Sequence, residues 1–129
     1  MSQKSQANHD RTKFSVKARF KSFIYALAGI KHFFSSQHNA WIHLLATAIV
    51  IFSAIIFHVS NSESIALAFA VGFVWVSELF NTAIEKIMDF ITTERNPKIK
   101  LIKDISAAAV LVAAITAWVV GCIVFIPKI

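Results

Sequence analysis

The chain has 129 residues, of which 57% are apolar and only 16% are charged. Soluble domains average about 45–50% apolar residues, and a small domain cannot bury a large apolar excess, so the composition indicates a membrane protein. Thirteen Lys and Arg residues against seven Asp and Glu residues give a net charge of +6. This charge suits an anionic membrane face or phosphate groups, and we expect no nucleic-acid partner.

Glycine and cysteine are scarce. The three glycines, Gly29, Gly72 and Gly121, can form neither a Walker A loop nor a GxGxxG turn. Cys122 is the single cysteine, which excludes an intrachain disulfide framework and a Cys-rich zinc site. A nucleotide, if one binds, must be held without a glycine-rich loop.

The N-terminal region changes character at about residue 14. Residues 1–12 are polar and predict a disordered cytoplasmic tail without a cleaved signal peptide. Residues 14–36 predict an amphipathic helix in the membrane interface, although the same apolar stripe also fits packing against the protein's own helices. The stripe consists of Phe20, Phe23, Ile24, Leu27, Ile30 and Phe34.

Three long apolar stretches predict membrane spans at about 38–59, 64–91 and 101–126. The last has no charge between Ile105 and Ile126, which is about the 20 residues that a helix needs to cross a bilayer. Asn96-Pro97 predicts a turn before it, because the residue preceding proline disfavours helix. The predicted fold is an all-α integral membrane protein with residues 13–129 as a single domain.

Basic residues predict the orientation of the spans. Seven of the thirteen precede Trp41, several more lie in the 92–104 loop, and residues 58–63 contain none. The positive-inside rule therefore predicts that the N-terminus and the 92–104 loop are cytoplasmic and that the C-terminus lies outside.

An acidic face on the second span is the strongest chemical signal. Glu78, Asn81, Glu85 and Asp89 fall within an arc of about 80° on an ideal helix. Carboxylates within a membrane helix cost about 2.5–3.5 kcal/mol each on insertion scales and are functional by default. Their oxygen ligands suit Mg²⁺ rather than zinc, and the deepest carboxylate, Glu78, suits a general base.

Several of these polar residues also have simpler interpretations that involve no catalytic or binding role. The carboxylates could simply pair with Lys86, with Lys103 or with the amphipathic helix. Asp104 fits an ordinary acidic residue at a helix N-terminus, while Lys103 beside it could hold a phosphate. His43 is interpreted as a polar end of the first span rather than as a ligand.

The run Glu78-Leu-Phe-Asn-Thr-Ala-Ile-Glu85, with Asp89 four residues later and Lys103-Asp104 at the start of the next span, resembles the prokaryotic diacylglycerol kinase family. The likeness extends over about four-fifths of the chain, and the family includes undecaprenol kinases. It implies a homotrimer of three-span subunits that transfers the γ-phosphate of ATP, with Mg²⁺, to a lipid hydroxyl. The family's lack of a glycine-rich loop agrees with the glycine count here.

Carried over residue by residue, the resemblance implies that Glu78 is the catalytic base and that Asn81 orients Glu78 or the lipid head. Glu85 is implied as the ligand of Mg²⁺. The residues implied to line the nucleotide site are Tyr25, Glu85, Asp89, Glu94, Lys103 and Asp104. Arg19 and Lys21 are candidates for phosphate contacts, but a basic face that reaches the lipid headgroups is the favoured explanation for them.

One position departs from the family pattern. The glutamate that the family usually places before the first span, a proposed metal ligand that also borders the nucleotide, is Gln37 here. Its amide oxygen can reach Mg²⁺ but brings no charge. The acceptor lipid is left open between diacylglycerol and undecaprenol. A non-catalytic membrane protein that uses the acidic face for cation contact or assembly is the alternative.

Overall fold

The computed structural model describes residues 14–129, which form four α-helices and contain no strand. The helices are α1 (Val16–Ser36), α2 (His38–Ile56), α3 (Asn61–Ile91) and α4 (Pro97–Phe125), and a 3₁₀ turn (Ile126–Lys128) follows α4. The all-α prediction is confirmed. By length and composition, α2, α3 and α4 with its 3₁₀ turn can each cross a membrane. The tail predicted for residues 1–12 lies outside the described residues.

Contacts divide the chain into two units, with the boundary inside α1 between His32 and Phe33. In the first unit, the Ser15 hydroxyl accepts the Ala18 backbone N–H at 3.3 Å near the start of α1. The Arg19 guanidinium lies 5.9 Å from the centroid of the Phe14 ring. The large apolar side chains of α1 in this unit are all exposed, among them Phe20, Phe23, Ile24, Tyr25 and Leu27.

The ends of the spans differ from the predicted positions by a few residues. α2 ends at Ile56 rather than at 59, because His58 adopts the left-handed backbone conformation with φ 48°. α3 begins at Asn61 rather than at 64, because Ser60 and Glu63 form a capping box. The Ser60 hydroxyl accepts the Glu63 backbone N–H at 3.3 Å, and the Glu63 carboxylate accepts the Ser60 N–H at 2.7 Å.

The start of α4 shows the largest difference. The helix begins at Pro97 rather than at 101, since proline fits the first helical position and Asn96 caps it. The Asn96 side-chain oxygen accepts the Lys98 backbone N–H at 2.9 Å. The predicted Asn96-Pro97 turn is therefore the helix start itself. At its other end, α4 stops at Phe125.

In the second unit, α3 packs most extensively against α4 and more sparsely against α2. Its buried apolar side chains include Leu67, Ala70 and Val74. An aromatic cluster joins the end of α1 to α2 and α3, and it consists of Phe33, Phe34, Trp41 and Trp75. Most other large apolar side chains of the spans are exposed, as expected for helices that face lipid or another protein surface.

The end of the unit near Ser60 is held by charge and aromatic contacts. Lys128 and Glu63 form an ion pair at 3.1 Å, and the Phe57 and Phe125 rings lie 6.0 Å apart. These contacts tie the C-terminal residues to the start of α3 and the end of α2. The residues of the acidic face, from Glu78 to Asp89, lie in the other half of α3, toward the opposite end of the unit.

Candidate active site

The acidic face of α3 grades from buried to exposed along the helix. Glu78 is buried, with 5% of its surface exposed, whereas Asn81 and Glu85 are half-buried and Asp89 is exposed. Successive residues of this face are three, four and four positions apart, and this spacing places all four side chains on one side of the helix, as predicted. The acidic face therefore leads from the exposed Asp89, near the C-terminal end of α3, to the buried carboxylate of Glu78.

Glu78 is paired with His43 from α2. The His43 Nε2 and Glu78 Oε1 atoms lie 2.6 Å apart, and the two side chains are 20% and 6% exposed. When the carboxylate is ionised it can only accept, and Nε2–H is then the donor. Such a partner offsets the cost of burying the carboxylate.

The sequence pattern does not predict this pairing, because the position of His43 near the start of the first span fits an interfacial polar residue. The signal was nevertheless present in the sequence. His43 is an ionisable residue within a predicted membrane span, and such residues are functional candidates by default.

Asn81 joins α3 to α4. Its side-chain oxygen accepts the hydroxyl of the buried Ser106 at 2.7 Å, and its amide nitrogen donates to Glu85 Oε1 at 3.4 Å. Asn81 thus contacts Glu85 on its own helix, and its implied role in orienting Glu78 or the lipid head stays a prediction. Ser106 is a further polar residue of the site that the sequence analysis did not single out.

Lysine pairs lie at the exposed end of the face. Lys103 donates to Asp89 Oδ1 at 2.5 Å across the α3–α4 interface, and its side chain is 34% exposed. Lys100 and Asp104 form an i, i+4 pair at 2.5 Å on α4, where both side chains are largely exposed. The simple pairing of Asp89 with Lys103 is thus observed, and it places an ammonium group beside Asp89 between α3 and α4, one helical turn along α3 from Glu85.

The other predicted site residues are more dispersed. Gln37 is the half-buried residue between α1 and α2, and its side chain makes no capping bond. Glu94 is exposed in the turn between α3 and α4, where its backbone N–H donates to Thr92 Oγ1 at 3.0 Å. Tyr25 is exposed on α1 in the first unit. Among residues 14–129, no three His, Cys, Asp or Glu side chains form a ready metal cluster.

A cavity of about 460 Å³ adjoins the His43 side of the site. It lies among α2, α3 and α4, and its walls are mainly apolar. Thr47 and Trp75 line it beside His43, and Gly121 and Cys122 line it farther along α4. Cys122 is half-buried, as expected for an unreactive thiol in apolar surroundings.

These features define a multi-pass membrane protein with a buried, histidine-paired carboxylate and a polar seam between two spans. Its sequence matches the family described as "Prokaryotic diacylglycerol kinase" over residues 24–125. The chain belongs to this family and is a lipid kinase. The predicted resemblance is thereby confirmed, and the non-catalytic alternative is not supported.

Two relatives that carry lipid-kinase names agree with this assignment. The undecaprenol kinase of Bacillus subtilis (strain 168) is 34% identical over 109 residues, which cover 84% of this chain and 89% of the relative. The diacylglycerol kinase of Synechocystis sp. (strain ATCC 27184 / PCC 6803 / Kazusa) is 36% identical over 107 residues. That match covers 82% of this chain and 61% of the relative.

Proposed function

We propose that the protein transfers the γ-phosphoryl group of ATP to the hydroxyl of a membrane lipid, with Glu78 as the general base. The observation that carries the proposal is the burial of Glu78 at the inner end of a face whose other end is exposed. The lipid oxygen bonds to the γ-phosphorus, the bond from that phosphorus to the β-phosphate oxygen breaks, and ADP leaves. Glu78 takes the hydroxyl proton.

The nucleotide binds toward the exposed end of the same face. Lys103 offers its ammonium group to the phosphates, because phosphoryl transfer depends on cations that neutralise the phosphate oxygens. Asp89 holds Lys103 at 2.5 Å and so sets its direction. Asp104, Glu94 and Tyr25 are included among the nucleotide-binding residues only on the strength of the family pattern.

Mg²⁺ accompanies ATP in this proposal, and Glu85 and Gln37 are the residues that would hold it. Their donor atoms are oxygens, which Mg²⁺ prefers. Mg²⁺ usually takes one or two carboxylates and completes its shell with water and substrate phosphates, so a single half-buried carboxylate at Glu85 fits. When bound, the ion neutralises charge on the transferred group.

Undecaprenol is the favoured acceptor and diacylglycerol is the second candidate. The Bacillus subtilis undecaprenol kinase matches along nearly its whole length, whereas the Synechocystis diacylglycerol kinase matches along 61% of its length. The Asn81-Thr-Ala-Ile-Glu85 run and the Ile42-His43-Leu44 step also resemble undecaprenol kinases more closely. Both lipids present an alcohol to the same base.

The proposed assembly is a homotrimer in a bacterial inner membrane, with the N-terminus and the 92–104 loop in the cytoplasm. The basic residues support this orientation through the positive-inside rule. The exposed apolar residues of α1 support an interfacial position for that helix. The extensive exposed surface of the spans leaves room for contacts between subunits.

The test is transfer of labelled phosphate from ATP to undecaprenol and to diacylglycerol, each in the same bilayers with Mg²⁺. We expect product with at least one lipid, and faster product formation with undecaprenol. A protein that is folded and inserted but phosphorylates neither lipid contradicts the proposal. A reaction confined to diacylglycerol contradicts the acceptor assignment while leaving the kinase mechanism intact.

A further inference from the structure

We propose that His43 is a positioning residue for the reaction: it holds Glu78 Oε1 so that Oε2 faces the acceptor hydroxyl. The inference rests on the proposed function of Glu78 as the base. His43 Nε2 lies 2.6 Å from Glu78 Oε1, and this bond connects α2 to α3. It is the one contact that fixes the rotation of the Glu78 carboxylate among residues 14–129.

The two oxygens of Glu78 have different surroundings. Within the described part of the chain, a hydrogen bond forms on Oε1 alone. Every fully buried side-chain oxygen or nitrogen in that part has a partner, so Oε2 must reach the surface of the subunit. The carboxylate therefore has one anchored oxygen and one accessible oxygen, as a base needs if it is to meet its substrate in a fixed direction.

Trp75 supports His43 in two ways: directly through the imidazole ring, and through Thr47 at the backbone. The His43 and Trp75 rings meet edge to face, with centroids 6.3 Å apart and planes inclined by 64°. Trp75 Nε1–H also donates to Thr47 Oγ1 at 3.0 Å, and the Thr47 hydroxyl donates to the His43 backbone oxygen at 2.7 Å. Both the ring and the backbone of His43 are thus tied to α3.

This support matters because α2 and α3 pack against each other only sparsely. The His43–Glu78 and Thr47–Trp75 bonds are two adjacent polar ties between them, one helical turn apart on α2. Loss of the His43 imidazole frees the Glu78 side chain to rotate and leaves a buried carboxylate without its donor.

The experiment compares His43→Leu with His43→Gln in the full-length protein in bilayers. The glutamine nitrogen can take the place of Nε2 and donate to Glu78, whereas leucine cannot. We expect His43→Leu to lower kcat by about tenfold to a hundredfold, the usual effect of losing an orienting partner, with KM for ATP nearly unchanged. His43→Gln should recover a large part of that loss.

A control substitution removes a different imidazole. His58 lies two residues beyond the C-terminal end of α2, and asparagine tolerates its left-handed backbone. His58→Asn should retain the wild-type kcat. Thermal unfolding of each variant accompanies the kinetics.

The outcomes separate this inference from the proposed function. Wild-type protein that phosphorylates neither lipid refutes the proposed function. An active wild type with an inactive Glu78→Gln variant, but with His43→Leu within threefold of wild type, refutes the positioning role alone. Equal losses in His43→Leu and His43→Gln at unchanged stability also refute it, because a donor at the Nε2 position would then have no effect.

A spectroscopic measurement covers the case in which His43→Leu fails to fold. In protein labelled with ¹⁵N at its five histidines, the His43 resonances are assigned by their loss in His43→Gln. We expect a protonated Nε2 whose chemical shift changes in Glu78→Leu. A shift that is the same in both proteins refutes the hydrogen bond and with it the proposal.

Discussion

Removal of the Ser106 hydroxyl tests the seam between α3 and α4. Ser106 is 6% exposed and donates to Asn81 Oδ1 at 2.7 Å. In Ser106→Ala the acceptor on Asn81 loses this donor, while the helix backbone and the packing volume change little. Asn81 also donates to Glu85 Oε1 at 3.4 Å, so the substitution loosens the orientation of Glu85 indirectly.

The expected loss of stability follows from the surroundings of the bond. A buried group left without a partner costs about 1–3 kcal/mol in a soluble protein core. Hydrogen bonds between membrane helices are weaker, averaging about 0.6 kcal/mol with a maximum near 1.7. Asn81 is only half-buried and lies on a helix that can span the membrane, so we expect the membrane range of about 0.6–1.7 kcal/mol to apply.

The assay is reversible unfolding in mixed micelles, with KM for Mg-ATP measured in parallel. Thr116→Val is the matched control, because it deletes an exposed hydroxyl on α4 whose one hydrogen bond within residues 14–129 is to the Val112 backbone oxygen, at 2.8 Å. We expect the control to stay within about 0.5 kcal/mol of wild type. If Ser106→Ala matches Thr116→Val in both stability and KM, the seam does not hold the site as described.

Three further substitutions probe the metal, the nucleotide and the cavity. Gln37→Glu should lower the Mg²⁺ concentration needed for half-maximal activity, because it adds a charged ligand; an unchanged Mg²⁺ titration contradicts this role. Lys103→Met should raise KM for ATP more than it lowers kcat. A KM for ATP equal to that of the wild type argues against a phosphate contact. Gly121→Ala should stabilise the fold by about 0.5–1 kcal/mol, because a Cβ there meets nothing within 4 Å in the subunit. Lower stability in an unfolding assay would indicate that another subunit packs against Gly121.

Helical periodicity explains why the acidic face could be predicted from the sequence. The angular positions of Glu78, Asn81, Glu85 and Asp89 depend only on their spacing along one helix, and the structure places them together as expected. The three apolar helices follow from the length of their apolar runs in the same way. Neither prediction requires knowledge of what the helix packs against.

Contacts between helices depend on how each helix is rotated about its axis and shifted along its neighbour. The residue spacing within one helix gives no information about either. For this reason the bonds from His43 to Glu78 and from Ser106 to Asn81 were not foreseen. The helix ends were misplaced for a local reason. Capping by Ser60 and Asn96 extends α3 and α4 into polar residues that an apolar pattern leaves outside the span.

The most direct test of the account is the rate of lipid phosphorylation in Glu78→Gln. The matched control is Glu63→Gln, the same substitution on the same helix at the opposite end of the unit. We expect Glu78→Gln to lower kcat by about a hundredfold to ten-thousandfold, since it removes the general base, while Glu63→Gln stays close to wild type. A Glu78→Gln variant that phosphorylates lipid at the wild-type rate would contradict the central claim.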